Sequence, residues 1–486
     1  MDDVRRHLRN METARGVRLR APRRAALLVA LAGLILLLLA AEAQAYVPGQ
    51  LIWAKKIGSS TADAGARAVA AGPDGATAVA GWTMVAQTGP PPMVQVPMVA
   101  RYTAGGSRWV RTYTSPGRAQ DVAIDRSGNV YVAATVDPAA GGDIVVLKYD
   151  AAGALKWATT PYDGTGNGGP DKAVAIAVDA ADNVFVAGES VVTSVNGVFG
   201  KVGIVVLKYG PDGGPAGSGG SFPSSGSPNE GDLSLHDLAL GPTGDVYVCG
   251  SQEYLPAGTW LDRAVVMQFH NADCAQGGHW YFQKDERSAS FASIAVRAGV
   301  VAAAGVVWSG TELDDSAHAL AATYDLNLAP RDSREWGVGD ADQERFRDVV
   351  LDGKGDLYVT GEQWVPEYDG HHESVTLKLS PRLGKVLWKA TYRPKSRDAR
   401  GWYIARDRAG YVYVAGVKRT AGSTDFLTMK YGPTGVRKWL RIWSGGGPGD
   451  DEPGGLVIGT KGDLFVGGEA TGKGDVLQAV VLRYKR

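Results

Sequence analysis

Residues 125–134 read DRSGNVYVAA, and residues 145–157 read VVLKYDAAGALKW. The first stretch sets a D-x-x-G turn before an apolar, β-branched and aromatic run. Asp can accept a hydrogen bond from the backbone two residues on, and Gly tolerates positive φ, so this turn suits a hairpin. VYVAA is a strand pattern. The second stretch holds another strand ending in Tyr149, then a turn and Trp157. Working outward, the central run recurs as GATAVAG (75–81), GNVYVAA (128–134), DNVFVAG (182–188), GDVYVCG (244–250), GVVAAAG (299–305), GDLYVTG (355–361), GYVYVAG (410–416) and GDLFVGG (462–468). Successive copies end 53, 54, 62, 55, 56, 55 and 52 residues apart.

Three companions share this period. Upstream is a strand ending in the turn, as in DVAIDRSG (121–128), DVVLDGKG (348–355) and YIARDRAG (403–410). Downstream, a strand ends in Tyr102, Tyr149, Tyr209, Phe269, Tyr324, Tyr431 or Tyr484, with Leu379 in the sixth copy. A Trp strand follows, marked by Trp53, Trp109, Trp157, Trp280, Trp336, Trp388 and Trp439. The third copy lacks its Trp; a Gly/Ser/Pro-rich segment, 210–230, stands there and is read as an insertion. We name these strands a, b, c and d. Four strands per repeat and a period in the fifties predict an all-β, eight-bladed β-propeller. The chain opens on a Trp strand, LIWAKKI (51–57), and ends on a Tyr strand, VVLRY (480–484). The first strand therefore completes the last blade and closes the ring, which leaves no free blade edge. The expected domain is 51–486.

The chain has 486 residues, with 51 Lys plus Arg, 51 Asp plus Glu and 66 Gly. Balanced charge argues against a nucleic-acid partner. Residues 1–24 hold eight Arg and three acids, followed by an apolar run from Ala25 to Ala41 and then Ala43-Gln44-Ala45. This pattern predicts a signal peptide cleaved after Ala45, with a linker at 46–50 and a secreted or cell-surface, monomeric product. An uncleaved membrane anchor is the alternative.

DRSGNVYVAA, VVLKYDAAGALKW and YDGTGNGGPD (162–171) resemble the bacterial β-propeller repeat family labelled SBBP, across nearly all of 51–486. NHL-type propellers are a looser resemblance, and G-x-x-x-W is also similar to quinoprotein blades. The SBBP resemblance implies an extracellular or surface propeller without shared catalytic residues.

Strand a should line the channel. The a–b and c–d turns share one face, and the longer b–c and d–a loops share the other, where binding residues are expected. Tyr254, Trp260, Trp308, Trp364, Tyr368, His371 and His372, with Trp82 in blade one and Asp314 and Asp315 nearby, suit a carbohydrate or protein ligand. The alternative is that these aromatics pack their own loops. Asp121, Asp237 and Asp348 occupy one position in blades two, four and six. They are candidates for a Ca²⁺ site, and through it for a metal-dependent hydrolase or lyase at the channel mouth. The competing role is to cap backbone N–H groups. A quinone-dependent oxidoreductase is a third, weaker reading. Gly164–Gly169 matches G-x-G-x-x-G, but a strand pattern follows where a dinucleotide site needs a helix. No H-E-x-x-H or G-x-S-x-G occurs, and no catalytic residue is assigned. Cys249 and Cys274 fall at opposite ends of a blade and are expected to be free. Arg101, Lys148, Lys208, Lys378, Lys430 and Arg483, each beside a strand-c aromatic, are expected to face outward. The first hypothesis is an exported, non-enzymatic binding or scaffold module.

Overall fold

In a computed structural model the described residues are 48–58, 61–137, 141–164, 169–191, 200–222, 229–256, 258–308, 316–337, 343–365, 371–394, 398–420 and 422–486. The expected signal peptide, Tyr368, Asp314 and Asp315 lie outside them. Among the described residues no helix is long and apolar enough to cross a membrane.

Leu51–Tyr484 form eight four-stranded antiparallel sheets arranged as an eight-bladed β-propeller. Seven blades are sequential, from Ala64–Ala71 (strand a of blade one) to Arg437–Trp443 (strand d of blade seven). The eighth takes strands a to c from Asp451–Ile458, Leu464–Thr471 and Leu477–Tyr484, and Leu51–Ile57 pairs alongside as strand d. Blade eight also meets blade one, where Leu477 N–H donates to Asp63 Oδ1 at 2.9 Å.

The core lies between blades. Eight apolar clusters each draw on two neighbours, such as Tyr247 and Val266 of blade four with Phe291 and Val301 of blade five. At most interfaces the strand-d Trp lies near an aromatic ring of the next blade. Trp53 and Tyr102 have ring centres 5.5 Å apart, Trp109 and Tyr149 5.9 Å, and Trp439 and Tyr484 6.2 Å. The next blade's c–d turn completes several of these seats. Trp109 Nε1 donates to Ala151 O at 3.0 Å. The turn glycine Gly153 has φ +88°, and a Cβ there would lie 2.8 Å from the Trp109 ring. Gly213 meets Trp157 and Gly435 meets Trp388 in the same way. The G-x-x-x-W spacing thus records two successive interfaces, because the Gly serves the preceding blade's Trp.

Blade three corrects the reading of 210–230 as an insertion. Pro215–Ser221 within it is the blade's strand d. Without a Trp, Gly217 and Gly219 press their backbone against Asp273 and Cys274 of the next turn. Cys274, at φ 61°, occupies the place that Gly153 fills elsewhere. Cys249 and Cys274 are buried free thiols.

The turn motif is also explained. Asp125 Oδ1 accepts the N–H groups of Ser127 and Asn129 at 2.9 and 2.8 Å, and its Oδ2 accepts the Tyr131 hydroxyl at 3.0 Å. Asp352–Tyr358 and Asp407–Tyr413 repeat the pair. The cations of strand c do not simply face outward, because all but Arg101, which lies opposite Ala78, share a sheet face with the strand-b aromatic opposite. Lys148 lies 4.9 Å from the Tyr131 ring centre, and Lys378 lies 5.0 Å from Tyr358. The aromatic face attracts the ammonium while the stem packs.

Gly153→Ala should destabilise the propeller by about 2 kcal/mol more than Gly474→Ala. Gly474 has a similar φ of +83° but nothing within 4 Å of the added Cβ. Thermal denaturation of both variants checks this; equal midpoints would mean that the Trp seat contributes nothing beyond backbone strain.

Candidate functional site

Every innermost strand carries a β-bulge at the same place relative to strand b. The register shifts fall between Ala66 and Ala68, Ala119 and Asp121, Ala173 and Ala175, and Leu235 and Asp237. They continue between Phe291 and Ser293, Phe346 and Asp348, Gly401 and Tyr403, and Pro453 and Gly455. A bulge adds one unpaired residue and re-aims the side chains around it. The extra residues are Arg67, Gln120, Val174, His236, Ala292, Arg347, Trp402 and Gly454. All are exposed or half-buried, whereas the residue before each is buried. The bulges thus leave one residue per blade less buried than the one before it, along the strands that border the axis, although Val174 still packs against the apolar cluster between blades three and four.

The ring is most highly charged from blade six round to blade two. The Arg347 guanidinium lies 5.5 Å from the Trp402 ring centre and donates to both oxygens of buried Glu362, at 2.7 and 2.8 Å. In blade eight, Glu452 and Glu469 are directly opposed across strands a and b. Burial raises the carboxyl pKa of both. Arg67 and Arg118 counter this at Glu469; at Glu452 the field of Glu469 adds to it and Arg347 opposes it. Arg118 also lies 5.7 Å from the Trp82 ring centre. Burial pushes Tyr403 up to about 12, within the fields of Asp348, Arg347, Glu452 and Arg67. Cationic, acidic and indole groups from five blades therefore converge here. Such a site can hold a polar ligand by stacking and by charge-assisted hydrogen bonds.

The residue after each bulge points to the neighbouring blade. Asp121 Oδ1 accepts Val122 N–H at 2.8 Å and its Oδ2 accepts Ile176 N–H at 2.9 Å. Asp237 joins Leu238 and Ile294 at 2.7 and 2.9 Å, and Asp348 joins Val349 and Ile404 at 2.8 and 2.7 Å. All six carboxylate oxygens are thus engaged by backbone amides, and one oxygen of each pair crosses to the next blade. That does not fit the Ca²⁺ site considered for these three residues, which needs oxygens free to converge on an ion. Among the described residues no group of three His, Cys, Asp or Glu is placed to hold a metal.

The aspartates are also coupled. Ser293 Oγ lies 3.0 Å from Asp237 Oδ2 and 2.8 Å from Asp348 Oδ1. A hydroxyl has one hydrogen, so the second contact needs a proton from a carboxyl group. Burial raises all three carboxyl pKa values, and with the field of Asp237 it brings Asp121 and Asp348 to about 7.

The loop aromatics are dispersed. Tyr254 is buried, with the Arg263 guanidinium 5.6 Å from its ring centre. His371 and His372 belong to strand c of blade six and are buried, because that strand begins at His371 and leaves them no loop. His372 packs edge-on to Trp364 at 5.0 Å, and burial, then Arg400, lowers its pKa to about 4. Trp308 and Trp364 are half-buried at strand ends, and Trp260 is 51% exposed. No ring contact joins Trp260, Trp308 and Trp364 among the described residues. Sequence reasoning missed Arg67, Arg118, Arg347, Trp402, Glu452 and Glu469. A polar residue just before the last four residues of strand a, in blades one, two, four and six, was the available signal for Arg67 and Arg347; the others had none. At the Gly-rich segment, strand Asp171–Val178 follows directly, so no helix meets that loop.

No family model matches the chain, and no curated protein sequence matches it. Among solved structures it is similar to the quinohemoprotein alcohol dehydrogenase from Comamonas testosteroni, at 11% identity and a TM-score of 0.51, over 90% of this chain and 76% of that one. It is also similar to Sqt1 from Chaetomium thermophilum, at 11% identity and a TM-score of 0.52, over 91% and 100%. At such identity the likeness shows the propeller fold alone.

The raised pKa values of Asp121 and Asp348 carry a sign. The folded state holds protons that the unfolded chain releases near the ordinary aspartate value of 3.8, so their contribution is complete below that pH and is lost as pH rises through about 7. The thermal midpoint of Asp348→Asn relative to the parent should therefore improve between pH 5 and pH 8. Asn keeps one acceptor for Ile404 N–H and supplies a donor toward Ser293 in place of the proton. A constant difference across that range would contradict the shared-proton reading.

Proposed function

We propose that this chain is a non-enzymatic binding propeller that takes a carbohydrate at the mouth of its channel, on the face of the b–c and d–a loops. The observation that supports this reading is the series of eight registered bulges, which re-aims Arg67, Arg347 and Trp402, with Arg118 two residues before the bulge residue Gln120. An indole face stacks on the C–H face of a sugar, while guanidinium and carboxylate groups exchange hydrogen bonds with its hydroxyls. Export through residues 1–45, a surface or secreted location and membership of the SBBP-type repeats belong to the same proposal. They rest on the sequence patterns quoted above.

A glycan microarray followed by calorimetry on the best ligand tests it. Trp402→Ala and Arg347→Ala should each weaken binding by about tenfold or more, the scale of a binding hot spot. Trp260→Ala, on the exposed outer loop, should leave binding unchanged. Absence of any glycan ligand, or loss confined to Trp260→Ala, would overturn the assignment.

A further inference from the structure

The opposite face holds a second feature. The a–b turns of blades five, six and seven surround a cavity of about 340 Å³, within the size range of small-ligand sites. Arg297 enters from the end of strand a in blade five, Lys354 from the turn Asp352–Gly355, and Arg406 and Arg408 from either side of Asp407. Four cations from three blades thus line one concavity.

The two carboxylates in the wall are already committed. Asp352 accepts Lys354 N–H at 2.8 Å, Asp356 N–H at 3.1 Å and the Tyr358 hydroxyl at 3.2 Å. Asp407 accepts Tyr411 N–H at 3.0 Å and the Tyr413 hydroxyl at 3.2 Å, and pairs with Arg486 at 2.8 Å. By contrast, Arg297, Lys354, Arg406 and Arg408 form no ion pair with a carboxylate among the described residues. Arg406 Nε is buried without a hydrogen-bond partner, and its guanidinium is held 5.3 Å from the Tyr358 ring centre. A buried donor left unpaired is costly, and four like charges around one concavity repel. A bound anion would relieve both.

We propose that this cavity binds a tetrahedral oxyanion, a sulfate or phosphate group, free or as the ester of a larger ligand. Several oxygens on one centre can meet guanidinium forks from different blades at once, which a single planar carboxylate does less well. The site lies at the turn face and is independent of the carbohydrate reading at the other mouth.

Calorimetric titration with sodium sulfate, sodium phosphate and sodium pyrophosphate, at ionic strength matched with chloride, tests the assignment. At least one of these anions should bind saturably with one site per chain. Preference for sulfate or for the phosphates identifies which ester the site serves. Arg406→Gln should weaken binding by about tenfold, and Arg297→Gln with Lys354→Gln should do the same through two exposed side chains whose loss leaves the fold intact. Arg126→Gln, at the corresponding turn of blade two, should bind like the parent. Non-saturable binding, or equal affinity in all these variants, would overturn the proposal.

Discussion

The bulge in each innermost strand is the constraint on which the rest depends. A regular strand a would alternate its side chains between the two faces of its blade, and both faces are buried against neighbours. One extra residue per blade breaks that alternation once, at the same level in all eight. The ring gains a residue that belongs to neither interface, such as Arg67, Arg347 or Trp402. The residue after it is aimed across the interface, which is how Asp121, Asp237 and Asp348 reach Ile176, Ile294 and Ile404. The same device thus presents groups toward the axis and ties blades together. The ties join blade two to three, four to five and six to seven. In blade eight Gly455 holds the position, and its backbone lies close against Val69.

Outside the bulge level, the interfaces rest on a repeated exchange between Trp and the next blade's turn. That exchange is what made the repeat legible. VYVAG-like runs, terminal Tyr residues and G-x-x-x-W spacing are each a buried contact written at fixed intervals, so blade count, strand order and closure by 51–57 could be read directly. Pro215–Ser221 could not, because a strand of Pro, Ala, Gly and Ser carries no β-propensity and only its fit against Cys274 explains it. The bulges were hidden for a related reason: an inserted residue spoils the two-residue alternation by which strands are recognised. That is why the loop aromatics, and not Arg347 or Trp402, drew the sequence-based assignment. Sequence could mark Asp121, Asp237 and Asp348 as equivalent but not assign their role, since a capping carboxylate and a metal ligand are the same residue type.

Charge is distributed to different ends. At the loop-face mouth, arginines meet Glu362, Glu452 and Glu469 and a mixed polar surface results. At the turn face, the acids are engaged by Tyr hydroxyls, backbone amides and the cations Lys378 and Arg486, which leaves Arg297, Lys354, Arg406 and Arg408 facing a cavity. A near-neutral chain therefore presents two chemically different openings, and the turn motif that shapes each hairpin is also what frees those cations.

The most direct test of the bulge ring is cysteine accessibility. Cys249 and Cys274 are buried, so an unsubstituted chain should react slowly with a small hydrophilic thiol reagent. Gln120→Cys and Ala292→Cys each place a thiol at a bulge, whereas Ala119→Cys and Phe291→Cys place it one residue earlier, in the interface. Labelling should be rapid at 120 and 292 and slow at 119 and 291. Equal labelling at adjacent positions, or the reverse pattern, would mean that the innermost strands are not bulged in this register and that the ring does not exist.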